Sequence, residues 1–205
     1  MKQFFFDLET TGLDWGACAI HQLAALIVVD GKVVNELDLR LNPLGFVVDD
    51  EALKVGGVTK KQVFQYPPWE LQMDKLIKVL DSYINKFDPK DKFFLVGWNN
   101  KGFDNFWLKA YWDRFHGHKP SFNQRNNNYF NSYFWGNDMD VQVLASHYFA
   151  LHREVFDNFK LQTVYQTMFP ADKVTNFHDG LFDVKCTYKI YNYIVTNGLP
   201  MLPID

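Results

Sequence analysis

Cysteine is scarce in this chain, with Cys18 and Cys186 the only two in 205 residues. Two thiols make no disulfide framework, and neither sits in a metal-ligand spacing such as CxxC. Long apolar runs are missing too. None approaches the ~20 residues that a helical membrane span requires. The opening Met1 to Phe6 meets Asp7 and Glu9 at once, too early for the apolar stretch of a secretory signal. Positive charge is not in excess, because the formal net charge is −3. That excludes a basic arm that grips nucleic acid by charge alone. No repeat and no Ser-, Gly- or Pro-rich linker divides the sequence, so one domain over residues 1–205 is expected. The expected setting is cytoplasmic and reducing, away from membranes.

What the chain does have is apolar and aromatic mass. Apolar residues make up 47%, and 20 Phe, 10 Tyr and 6 Trp are present, enough for a substantial core. The order of elements follows from periodicity. Residues 2–8 (KQFFFDL) read as a buried strand, and residues 19–29 as a second. Asp30-Gly31 is a two-residue hairpin turn. From Val34, Leu37, Leu39 and Leu41 alternate with Glu36, Asp38 and Arg40, so 32–42 reads as a third strand, half exposed. Three antiparallel strands therefore open the chain. Helical spacing predicts a helix from Trp69 to Phe87 through Leu76, Leu80 and Ile84. Residues 93–97 (FFLVG) predict a strand, 103–115 a helix, 133–138 a last strand and 140–152 a helix. A helix over 180–196 closes the pattern, ended by Asn197-Gly198 and Pro200. Strands first, then alternating helices and strands, predict an α/β fold with a mixed sheet covered on both faces. The polar stretch 123–132 (NQRNNNYFNS) reads as a solvated loop or as a flap that contacts a substrate.

Three short segments place acids where core elements end. In Phe6-Asp7-Leu8-Glu9, strand alternation puts both carboxylates on one face. Such a pair is costly unless a cation sits between them, and oxygen ligands suit Mg²⁺ or Mn²⁺. A strand surfacing into a polar turn would explain them equally well. In Trp98 to Asp104, a buried strand runs into a polar turn and Asp104 opens a helix, where capping is the ordinary role of Asp. In His178-Asp179-Gly180-Leu181-Phe182-Asp183, five helical steps turn through about 500°. His178 and Asp183 converge only if His178 lies on the loop before the helix, with Asp179 as the N-cap pointing away from the site.

Together these segments resemble the DEDDh branch of the DnaQ-like 3′→5′ exonucleases. FDLETTGL at 6–13, NNKGFDNFWL at 99–108 and HDGLFDVKCT at 178–187 are similar to the family's three motifs, in order. The branch with Tyr four residues before the last Asp fits less well, since Asp179 stands there. The resemblance implies a ribonuclease H-like sheet of five strands with helices on both sides. It implies that Asp7, Glu9, Asp104 and Asp183 hold two Mg²⁺ or Mn²⁺ ions, with His178 as general base. It also implies phosphodiester hydrolysis from a 3′ end, releasing nucleoside 5′-monophosphates. Two such ions would take the net charge from −3 to about +1. Five cations in 101–125 (Lys101, Lys109, Arg114, Lys119 and Arg125) against Asp104 and Asp113 read as an ordinary solvated helix face or as a track that adds to the attraction for a polyanion.

By the same resemblance, backbone groups at the turn of Thr10 and Thr11 hold the terminal 3′-OH, and Leu13 wedges against the terminal base. Asn100 orients a ligand or a phosphate. Phe103 is either a stacking surface or core. Asn99, Gln22 and Gly180 depart from the family's commoner His, Glu and Ala. The substrate expected is the 3′ end of single-stranded DNA, with RNA end trimming or oligoribonuclease-like action as the alternative. An inactive binding module is disfavoured, because all five catalytic positions are filled. No polymerase segment is present, so proofreading would need a replication or repair partner in trans.

Overall fold

The computed structural model describes residues 1–85, 87–116, 129–172 and 177–198. Its frame is a five-stranded sheet in the order β3-β2-β1-β4-β5. The strands are β1 (Lys2–Thr10), β2 (Ile20–Val29), β3 (Lys32–Arg40), β4 (Phe93–Gly97) and β5 (Met139–Asp140). β1–β2 and β2–β3 pair antiparallel, whereas β1–β4 and β4–β5 pair parallel. This is the mixed, ribonuclease H-like sheet expected. The β2–β3 turn takes left-handed backbone at Asp30 (φ 50°) and Gly31 (φ 76°), the geometry that a two-residue hairpin needs.

Eight α-helices are assigned among the described residues: α1 (Asp50–Val55), α2 (Lys60–Val63), α3 (Trp69–Asp81), α4 (Asp104–His116), α5 (Phe130–Tyr133), α6 (Val141–Tyr148), α7 (Leu161–Met168) and α8 (Gly180–Asn197). Side-chain alternation along β1 decides how they distribute. Phe4, Phe6 and Leu8 face a core shared with α3, α4 and α5, whose centre is Trp107, Tyr111 and Trp112. Phe5 faces the opposite core, shared with α6, α7 and α8, where Tyr188 and Tyr191 pack edge-on against it. Asp7 and Glu9 continue on the face of Phe5. α8 runs along that face with Tyr191 near Gln3 and Gly180 near Asp7 and Ala24. The first turn of α8 therefore lies over the two acids.

Several expectations change. The helix from Trp69 ends at Asp81 rather than Phe87, although Ile84 stays buried. The last strand is Met139–Asp140, not 133–138. Phe130–Tyr133 turns helical, and Phe134 meets Phe93 in an isolated bridge. The helix expected over 140–152 stops at Tyr148, and a 3₁₀ segment follows over Ala150–Val155. The helices α1, α2 and α7 were not anticipated. Within the Asn-rich stretch, 123–128 lies outside the described residues, as do Lys119 and Arg125 of the basic segment. Cys18 and Cys186 are free, buried in opposite cores. Among the described residues no helix is long and apolar enough to cross a membrane.

Candidate active site

β1 carries the first two acids to the edge of the core. Asp7 pairs in register with Ala24 and Glu9 with Gln22. Both side chains are half-buried under the start of α8. A Cβ on Gly180 would lie 3.4 Å from Asp7 Oδ2 and 3.3 Å from both Ala24 Cβ and the Gln22 amide carbon. The missing side chain is thus what lets the helix come down onto the acids.

Asp183 comes from that first turn. Its Oδ2 accepts the His178 backbone N–H at 3.2 Å. His178 takes φ 75°, a left-handed turn that sets it on the loop before the helix, exposed. This is the arrangement the spacing required. Asp179 is the N-cap, accepting from Phe182 N–H at 3.1 Å.

Asp104 reaches the site from α4. A 3₁₀ turn over Asn100–Gly102, entered through left-handed Asn99 (φ 55°), links β4 to this helix. The side chain of Asp104 is 7% exposed, and its Oδ1 accepts the Leu8 N–H at 3.2 Å, between the two β1 acids.

One oxygen each from Asp7, Glu9 and Asp183 lies within 4.8 Å of the others. Asp104 stands beside this trio rather than in it, held by the Leu8 amide, yet close enough to oppose the charge of Asp7. Burial first, then the charges of Asp104, Glu9 and Asp183, pushes the Asp7 carboxyl well above its usual range. Burial, with Asp183 and Asp104, raises Glu9 to about 7. Burial raises Asp104 to about 7 and Asp183 to about 6. Among the described residues, no Lys or Arg bonds Asp7, Glu9 or Asp183, and Asp183 Oδ1 is buried without a hydrogen-bond partner. A hard divalent cation, which takes carboxylate oxygens, answers both conditions. The donor set fits such an ion.

The residues expected to meet substrate divide. Leu13 is 85% exposed on the turn after β1. Thr10 donates its hydroxyl to Gly12 O at 2.7 Å and shapes that turn. Thr11 is fully buried, its Oγ1 donating to Val47 O and accepting from Ala19 N–H, so its side chain shapes the turn. Asn100 is buried, its amide nitrogen donating to Asn105 Oδ1 at 3.1 Å while its own Oδ1 has no hydrogen-bond partner. Phe103 is half-buried and packs against the α4 core, 5.5 Å from the Trp107 ring.

His21 went unnoticed in the sequence. It is 1% exposed, and neither ring nitrogen has a partner. Its ring edge and Glu9 Oε2 both face Gly56, at 3.6 and 3.5 Å from where a Cβ would stand. Burial and the charge of Arg40 lower it to about 4. Nothing in an isolated His within an apolar strand announces this. Unpaired buried nitrogens cost roughly 1–3 kcal/mol. His21→Leu is therefore expected to raise stability by a comparable amount in cation-free buffer. A lower denaturant midpoint would show that the ring has a polar partner after all.

The exonuclease family model that bears the name RNase T matches residues 4–191. No curated protein matches the chain. Among solved structures, Escherichia coli exonuclease I in complex with a dT13 oligonucleotide superposes with a TM-score of 0.68 at 17% identity, covering 95% of this chain and 41% of that one. The zinc-bound form of the same enzyme with single-stranded DNA gives 0.68 at 20%, covering 96% and 40%. The structure of exonuclease I described as suggesting how processivity is achieved gives 0.67 at 17%, covering 96% and 43%. This chain thus spans about two fifths of the length of those proteins. The likeness fixes the fold, and the family match takes in β1, α4 and the acidic first turn of α8: the chain belongs to the RNase T exonuclease family.

Proposed function

We propose that the chain is a single 3′→5′ exonuclease domain over residues 1–205. It acts on single-stranded nucleic acid, DNA in preference to RNA, and releases nucleoside 5′-monophosphates. The observation that carries this reading is the convergence of Asp7, Glu9 and Asp183 to within 4.8 Å, with Asp104 alongside and His178 at the rim.

The carboxylates of Asp7, Glu9, Asp104 and Asp183 would hold two Mg²⁺ or Mn²⁺ ions. When bound, these would supply positive charge to the scissile phosphate and make the attacking water more acidic. The remaining work falls to the chain. His178, exposed beside Asp183, takes the proton from the water on a ring nitrogen, the work of a general base. The water oxygen bonds to phosphorus, the bond to the 3′ oxygen breaks, and the terminal nucleotide leaves with a 5′-phosphate. Asp183 accepts the His178 backbone N–H, so the base and an acid are held as one unit. Leu13, projecting from the turn after Glu9, packs on the terminal base, where an apolar surface accepts any base. The exonuclease I complexes with a dT13 oligonucleotide and with single-stranded DNA support this substrate class.

Digestion of 3′-labelled and 5′-labelled single strands of DNA and RNA, with Mg²⁺ or Mn²⁺, tests the reading. The 3′ label should appear at once as a mononucleotide, while the 5′-labelled strand shortens stepwise. Release of the 5′ label first would overturn the polarity, and faster cleavage of RNA would move the enzyme to the ribonuclease alternative. His178→Ala should lower kcat by about 10²–10⁴-fold, the usual worth of a general base, with KM changed no more than a few-fold. A loss confined to KM would give His178 a binding role instead.

A further inference from the structure

Behind the acids lies a set of polar side chains that the proposed chemistry does not use. Arg40 ends β3. Its Nε meets Asp38 Oδ1 at 3.0 Å, and its terminal nitrogen NH2 donates to Asp38 Oδ2 at 3.1 Å. The same NH2 reaches Asp179 Oδ2 at 3.3 Å. Gln22, the cross-strand partner of Arg40, is buried. It donates to Asp38 Oδ1 at 2.9 Å and accepts the Gly180 N–H at 3.4 Å. Asp179 in turn caps Phe182, and its carbonyl accepts the Asp183 N–H at 2.9 Å. Four side chains from two strands and a helix cap thus tie the start of α8 to the sheet.

The arrangement says more than that the helix is anchored. The α8 core contacts, such as Tyr191 against Phe5, hold the helix body, and Gly180 against Ala24 with buried Val184 seats its first turns, but these apolar contacts do not fix the direction of the acidic turn. That turn carries Asp183, and the preceding residue pair carries His178. A bidentate guanidinium fixes direction as well as distance, which a lone contact does not. Arg40 also lies near Glu9, since its charge partly offsets the burial that raises Glu9. In charge alone, Arg40 works against a cation among the acids, so its presence there calls for another reason.

We propose that Arg40 is a positioning residue: through Asp179 and Asp38 it holds the His178–Asp183 turn in register with Asp7 and Glu9. The inference rests on the exonuclease reading of this site, and deepens it. Charge and positioning make opposite demands. If Arg40 mattered only as a charge, Arg40→Gln would tighten divalent-cation binding and leave kcat untouched. Lys at that position would also replace it fully. If it is a strut, Arg40→Gln loosens the first turn.

The experiment combines three readouts on the full chain. Amide hydrogen exchange at Phe182 and Asp183 should quicken in Arg40→Gln, while exchange at Ile190 and Tyr191 stays as in the parent. Mg²⁺ or Mn²⁺ affinity, by calorimetry, should weaken about 10-fold or more. kcat should fall about 10–100-fold with KM within about two-fold. Arg40→Lys, which keeps the charge and loses the fork, should recover less than half of the lost turnover. Asp179→Asn, which keeps a capping oxygen, should share the kcat loss, and the double variant should be no worse than either single. Parental kcat, or tighter cation binding in Arg40→Gln, overturns the inference while leaving the exonuclease reading intact. A parent chain that binds no cation and cuts no strand sinks that reading instead. Unchanged exchange at Phe182 and Asp183 would then dispose of the strut as well.

Discussion

Asp7→Asn is expected to leave the chain folded and almost without nuclease activity. Asp7 lies at the meeting point of all the repulsions: Asp104, Glu9 and Asp183 each raise its carboxyl further beyond what burial does. An amide of the same shape keeps the packing under Gly180 but cannot share a cation with Glu9 and Asp183. The loss in turnover should be at least about 10³-fold, or about 4 kcal/mol of activation free energy. Stability should move the other way. Without a cation, the parent forces several carboxylates together, and the variant removes one, so its melting temperature at pH 8 in EDTA should be higher than the parent's. Turnover above a tenth of the parent's would remove Asp7 from the site, and a collapse in stability would mean that its charge is a structural need.

The second large effect concerns pH and cations. In the folded chain Glu9 and Asp104 titrate near 7 and Asp183 near 6, each above its ordinary value. Once unfolded, they titrate near 4. Between about pH 4 and 7 the folded state therefore binds more protons than the unfolded one. Stability must then be fullest below that window and fall as pH rises through it. With EDTA present, the loss from pH 5 to 8 should be on the order of 5 kcal/mol, or roughly 10–20 °C in Tm for a chain of this size. Millimolar Mg²⁺ or Mn²⁺ at pH 8 should restore about 3 kcal/mol once it exceeds its Kd a hundredfold. A melting temperature flat from pH 5 to 8 and unmoved by either cation would refute both the crowding of the acids and their purpose.

Much of this was legible in the sequence because it rests on short periods. FFFDLE has the alternation of a strand, so Asp7 and Glu9 had to share a face. The gap from His178 to Asp183 demanded a loop-then-helix geometry, and the structure has it, with Asp179 as cap. The cap does not turn wholly away from the site, since its second oxygen reaches Arg40. Where sequence reading stopped, contacts across the fold decide. Arg40 and Asp179 are 139 positions apart, and nothing local in Leu39-Arg40-Leu41 distinguishes that Arg from a solvated one. Thr11 sits inside a motif, yet its hydroxyl is spent on Val47 and Ala19. The short helices α1 and α2 carry little apolar periodicity. Their signals were caps instead: Asp49 for one, and the Thr59/Gln62 capping box for the other.

The acids are joined late. Gln22 and Gly180, which clasp α8 to the sheet, are 158 positions apart, and the strand bearing Asp7 and Glu9 leads the chain. A ribosome must therefore deliver almost the whole of this sequence before the carboxylates can be brought together. Until then Asp7 and Glu9 are an ordinary pair of acids on a strand. On the proposed reading, hydrolysis waits for α8 to dock and bring Asp183 to that pair.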